Sequence, residues 1–266
     1  MNTRRACLRA IVGFMVLALC PALPAQRKQH PQPAPANIVR VAAAADLRPV
    51  MPVLAQQFQQ QTGIKLQVSF ASSSALATQI INGAPFDLFL GADFIFPEKV
   101  VAANLSAEPA AVPYAHGVLV LWAPKNSPIQ PPSVDKLLNP SITRIAIADE
   151  THAPYGRAAY ALLRTMHLLD KLQPRLVVAE DISQAAQFVQ SGNAQVGFIS
   201  LTLANSAAFR KAGSFTAAPR AYPEIRQCGV VIKGSAHQQQ AQQFFDWLLS
   251  PNVQDSLPQL GLDPAN

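Results

Sequence analysis

Long hydrophobic runs, cysteines and concentrations of one charge are what this chain has least of. Its longest early apolar run, Ile11 to Leu19, is too short to cross a bilayer as a permanent helix. Three cysteines occur, and Cys7 and Cys20 fall in the N-terminal segment. That leaves Cys228 alone in the body, unable to form an internal bridge and read as a small buried hydrophobe. The formal charge of +6 is not a patch: Arg4, Arg5, Arg9, Arg27 and Lys28 account for five of the 21 basic residues, which leaves 16 against 15 acidic ones. Nothing in the body interleaves arginine or lysine with aromatics, so the expected partners include no nucleic acid. G-x-S-x-G, H-E-x-x-H, C-x-x-C, P-loop and G-x-G-x-x-G patterns are all missing. The five histidines, at 30, 116, 152, 167 and 237, have no metal-ligand spacing. The chain reads as no enzyme and as using no cofactor.

What is present begins with a leader over residues 1–25: a basic start at Arg4-Arg5, the short apolar run, and a small-residue exit ending at Ala25. Export is the expectation. Thr3 to Arg9 is similar to a twin-arginine signal, although Cys7 stands where a large apolar residue is usual. A lipid anchor at Cys20 is disfavoured by the bulk of Leu19 before it. Residues 26–37, rich in proline and glutamine, form a disordered tether.

From Ile38 onward, short apolar runs alternate with helical ones. Ile38 to Ala44, Ile64 to Phe70 and Asp87 to Ala92 read as strands. Leu47 to Gln61, Ser74 to Asn82 and Pro97 to Ala103 read as helices. After the apolar segment Gly117 to Trp122 a second series follows, with strands at Arg144 to Ala148, Arg175 to Val178 and Val196 to Ser200 and helices at Arg157 to Met166 and Gln184 to Gln190. The strand Gly229 to Ile232 and the amphipathic helix Gln238 to Leu249 complete the pattern. This predicts an α/β fold of two lobes, each a mostly parallel sheet flanked by helices, with a ligand cleft between them. Lobe 1 is expected over 38–116 plus 226–266 and lobe 2 over 117–225, with a hinge near His116 and Arg226. Trp122 is expected to pack at the entrance to the second lobe.

Four strand-to-helix turns stand out: Ala45-Asp46, Ser72-Ser73-Ser74, Pro154-Tyr155-Gly156 and Asp181-Ile182-Ser183. Each leaves helix N–H groups without an intrahelical partner, and such groups hold an anion without a counter-charge. Ser72 to Ser74 also reads as an ordinary N-cap. Asp46 opposes anion binding: a carboxylate 4 Å from a dianion costs about 4 kcal/mol per charge pair at an effective dielectric of 20. Its side chain must turn away, or accept a proton carried by a ligand such as hydrogen phosphate. A cleft enzyme using Ser73 or His152 on a small anion is the remaining alternative.

These same turns resemble the periplasmic molybdate-binding proteins (ModA) of the two-lobed solute-binding class. The likeness is carried by Val41 to Leu47, by Ser72 to Ser74 with Asn82 to Asp93, by Ala153-Pro154-Tyr155-Gly156, and by Glu180 to Ala185. It implies a periplasmic monomer that captures molybdate or tungstate for the membrane permease and ATPase of an ABC importer. Molybdenum or tungsten would enter only as the bound oxyanion. The resemblance further implies that Ser73 donates its N–H and hydroxyl, and that Tyr155 and Ile182 donate backbone N–H groups. At Ala45 and Asp46 the hydroxyl usual in the family is missing, which leaves backbone donation. Ser200 matches a position where some members place a tyrosine, and with Ser72 it is a lesser candidate.

Overall fold

A computed structural model of the chain describes residues 37–265. The leader, nearly all of the tether and the anchor question at Cys20 lie outside them. Among the described residues no helix is long and apolar enough to cross a membrane.

The elements follow the alternation in the sequence. In the first series β1 is Ile38–Ala44, α1 Met51–Thr62, β2 Lys65–Ala71, α2 Ser73–Ile81, β3 Leu88–Leu90, α3 Ile95–Ala102 and β4 Val112–Gly117. The second series holds β5 Leu119–Pro124, β6 Ile145–Ala148, α4 Pro154–Thr165, α5 Leu169–Leu172, β7 Leu176–Ala179 and α6 Ile182–Gln190. It continues through β8 Val196–Ser200, α7 Leu201–Asn205, α8 Ala207–Ala212 and β9 Gly213–Ala217. The chain then returns to the first sheet with β10 Ile225–Val231, α9 Gln238–Leu248 and β11 Leu262–Pro264.

Two sheets result, ordered β11-β4-β10-β3-β1-β2 and β7-β6-β8-β5-β9. Each is mixed, which corrects the expectation of mostly parallel sheets. Only β2-β1-β3 and β7-β6-β8 run parallel; β10, β4 and β11 on one side, and β5 and β9 on the other, pair antiparallel. The parallel strands are those joined through covering helices, whereas β4, β5, β9 and β10 carry the chain between sheets and reverse direction as they do so. His116 and Arg226 are register partners on β4 and β10, so both crossings between the lobes run side by side.

Position in the sheet explains the local patterns. From Val41 on, the central β1 is apolar on both faces because β2 and β3 flank it and helices cover it. The edge strand β2 alternates exposed with partly buried residues. Sequence periodicity starts a helix at Leu47, but the chain makes a 3-10 turn at Ala45–Leu47 and begins α1 only at Met51. Pro49 explains the break: it has no N–H to give, so i→i−4 bonding cannot run through that position, although Arg48 itself keeps helical dihedrals. α1 then stops at Gly63, whose φ of 74° suits glycine and whose N–H bonds Gln59.

Each lobe has its own core. In the first, Phe58 meets Phe244 edge-on at 5.0 Å between α1 and α9. In the second, Trp122 is fully buried on β5 and packs against Phe209, so it lies inside that lobe rather than at its entrance. Ala44, Ala45 and Ala92 of the first lobe join the core of the second, and the two lobes touch there.

Candidate functional site

The four turns meet. Ala45, Asp46, Ser72, Ser73, Tyr155 and Ile182 line one pocket between the lobes, with Ala92 and Asp181 beside them. The free volume at its centre is about 10 Å³, room for roughly one water molecule. No lysine, arginine or histidine is among the lining residues.

Local structure aims backbone donors at this point. Ser72 caps α2, its hydroxyl accepting from the Ala75 N–H at 3.3 Å. The N-cap reading therefore holds for Ser72, while its neighbour is differently engaged. The Ser73 hydroxyl, 1 % exposed, accepts from the Ala92 N–H at 3.0 Å and keeps its own proton to give. Pro154 opens α4, where a missing N–H costs nothing. Asp181 caps α6 through the Gln184 N–H at 2.9 Å. The N–H groups of Ser73, Tyr155 and Ile182 thus sit in first turns, where helices leave donors unpaired, and no hydrogen bond among the described residues takes them. Three helix starts turned toward one small volume make a site of positive potential without a formal cation.

Gly156, next to Tyr155, allows this approach, because a Cβ there would run into the carbonyl oxygens of Ala148 and Asp149. Gly156→Ala is expected to lose about 1–3 kcal/mol of stability by overpacking and to displace the start of α4. Urea unfolding checks the first effect and oxyanion titration the second.

Beneath the donors lies a polar network that sequence reasoning missed. Asp46 is fully buried, and its Oδ2 accepts from the Tyr155 hydroxyl at 3.1 Å and from Gln227 Nε2 at 2.6 Å. Gln227 also donates to the Tyr155 hydroxyl at 3.1 Å, and its Oε1 lies 2.9 Å from the Tyr114 hydroxyl. Thr202, at the start of α7, donates to the Asp46 carbonyl at 2.7 Å. Oδ1 of Asp46 has no well-formed hydrogen bond among the described residues. Burial pushes the Asp46 carboxyl up to about 6, against the pull of the bonds from Gln227 and Tyr155 and of nearby backbone N–H groups. Burial and the neighbouring Asp46 charge raise both Tyr155 and Tyr114 well above the usual phenol range. The Tyr155 side chain is therefore no passive filler: its hydroxyl ties α4 of one lobe to the first turn of the other. One signal for Gln227 was present, a lone amide in the run that becomes apolar from Cys228 on, because a buried amide needs partners.

Ser200 does not line the pocket. Its hydroxyl caps α7 at the Leu203 N–H and sits 2.7 Å from the Thr202 hydroxyl, so it is occupied within its own turn. His152 is not a lining residue either; its half-exposed ring pairs with Asp149 at 3.0 Å. At the pocket's edge Arg157 reaches across the lobes to Asp93 at 2.7 Å. Among the described residues no group of three or more His, Cys, Asp or Glu side chains is placed to hold a metal ion.

Residues 39–262 match the family described as bacterial extracellular solute-binding proteins. The molybdate-binding protein ModA of Rhodobacter capsulatus is 32 % identical over 86 % of this chain and 89 % of its own length. ModA of Azotobacter vinelandii is 34 % identical over 84 % of this chain and 88 % of its own. The solved structure of the Azotobacter vinelandii periplasmic molybdate-binding protein superposes with a TM-score of 0.78, covering 84 % of this chain and 98 % of that one. The chain belongs to the ModA family of bacterial extracellular solute-binding proteins.

Proposed function

We propose that this protein captures molybdate or tungstate outside the cytoplasm and passes it to the permease and ATPase of an ABC importer. The observation that carries the reading is the meeting of three helix N-termini and the Ser73 hydroxyl at one pocket with no cationic side chain. Neutral donors suit an anion that must later be released, since a fixed counter-charge would hold it after the lobes part. ModA relatives that match most of the chain support the choice of ion. Ser73 donates its N–H and hydroxyl, Tyr155 and Ile182 their N–H groups, and the turn at Ala45 and Asp46 its backbone. The protein works as a periplasmic monomer, with no cofactor and no catalysis, and the ion is its cargo.

A tetrahedral oxyanion has five heavy atoms where about one water fits, so the walls retreat to admit it. We assign this motion to lobes 38–116 with 226–266 and 117–225, turning about the paired crossings at His116 and Arg226.

Asp46 at the pocket favours a second reading, a protonated oxyanion such as hydrogen phosphate whose proton the carboxylate accepts. Titration calorimetry with molybdate, tungstate, sulfate and phosphate separates the two. Heat with molybdate and tungstate alone is expected; heat with phosphate and none with molybdate would overturn the proposal.

A further inference from the structure

Asp46 is a buried carboxylate in the wall of a site built for an anion. Its Oδ2 is filled by Tyr155 and Gln227, while Oδ1 has no well-formed hydrogen bond among the described residues, only the Asp46 and Leu47 backbone N–H groups pulling on the carboxyl. The position before it, Ala45, carries no hydroxyl. We propose that Asp46 takes up one proton as the oxyanion binds and that the resulting Oδ1–H is the donor which supplies the missing hydroxyl. The inference rests on the reading of this pocket as an oxyanion site. The proton comes from solvent, an O–H bond forms at Oδ1, and no bond of the ligand breaks.

The surroundings favour this uptake. Tyr155 from α4, Tyr114 from β4 and Cys228 on β10 are all held protonated at neutral pH by burial. Asp181 at the start of α6 is a second acid at the pocket, and its carboxylate is spent on the α6 cap. Asp93, after β3, is paired with Arg157. Arg48 stacks over Phe70 of β2 and Arg226 of β10 over Phe94, Lys65 lies at the far end of β2, and α7 contributes only the neutral Thr202. Among the described residues no cation lines the pocket to neutralise an ionised Asp46 against a dianion, and protonation is the remaining way to remove the repulsion. The free carboxyl, already raised to about 6, is ionised at pH 7.5 and needs only a further rise to hold the proton.

The test is calorimetric titration of the exported protein with sodium molybdate at pH 7.5 in buffers of different ionisation enthalpy, repeated from pH 5.5 to 8. Uptake of about one proton per molybdate is expected, with affinity falling about tenfold per pH unit above pH 6. Asp46→Asn, whose amide donates without titrating, is expected to bind with neither uptake nor slope, and Asp46→Ser to behave likewise. Binding by the wild type with no uptake and a flat affinity overturns the inference, as does uptake that persists in both variants. Absence of molybdate binding at pH 5.5, where Asp46 is protonated in any case, overturns the oxyanion reading itself and this inference with it.

Discussion

Ser73→Ala should bind molybdate about 10- to 100-fold more weakly than the wild type. The hydroxyl does two things at once. It accepts from the Ala92 N–H at 3.0 Å, and its proton is left to donate toward the pocket it lines. A hydrogen bond to a charged group contributes about 1.5–3 kcal/mol, which is the source of that factor. The substitution also strands the Ala92 N–H in a buried place, so folding stability should drop by about 1–3 kcal/mol. Ser72→Ala is the control, because it removes only a helix cap at 3.3 Å and should leave affinity within a few-fold. Calorimetry on both variants checks the contrast; equal affinities for Ser73→Ala and wild type would place the anion elsewhere.

Asp46→Asn is expected to stabilise the ligand-free protein at pH 8 by about 3 kcal/mol and to change little at pH 4 or below. The folded carboxyl is raised from 3.8 to about 6, so the folded chain holds this proton more tightly than the unfolded chain does. Stability from this group is thus fully present below pH 3.8, is lost as pH rises through 6, and is flat above that. The difference between the two values corresponds to about 3 kcal/mol, undiminished by solvent because the side chain is fully buried. Asparagine keeps an acceptor for Gln227 and Tyr155 and carries no charge. In a domain of this size the gain is worth about 6 to 12 °C in melting temperature. Thermal unfolding at both pH values decides it: an equal gain at pH 4 and pH 8 would mean that packing, not charge, is responsible.

Local patterns carried most of the chain into its elements. β1, β2, α2, α6 and β8 lie within two residues of their apolar periodicities, since strand and helix periods are properties of neighbouring residues. The site's donors were legible for the same reason: Ser73, Tyr155 and Ile182 stand where a strand gives way to a helix, and the orphan N–H groups belong to that junction whatever the remainder of the fold does. Apolar spacing alone puts the start of α1 at Leu47, whereas Pro49, which has no N–H to give, moves it to Met51.

Sequence by itself therefore determined the strand-to-helix turns that supply the donors, the neutral character of the site and the absence of a hydroxyl at Ala45. Tertiary structure decided which turns share one pocket, that each sheet is half antiparallel, and what becomes of Asp46. Its partners Tyr155 and Gln227 lie 109 and 181 residues away along the chain. Contacts of that separation depend on how β10 returns beside β4 and how α4 meets the first turn, and no local period encodes either. Burial is likewise a property of the assembled lobes, and burial is what turns an ordinary aspartate into a group that titrates near pH 6.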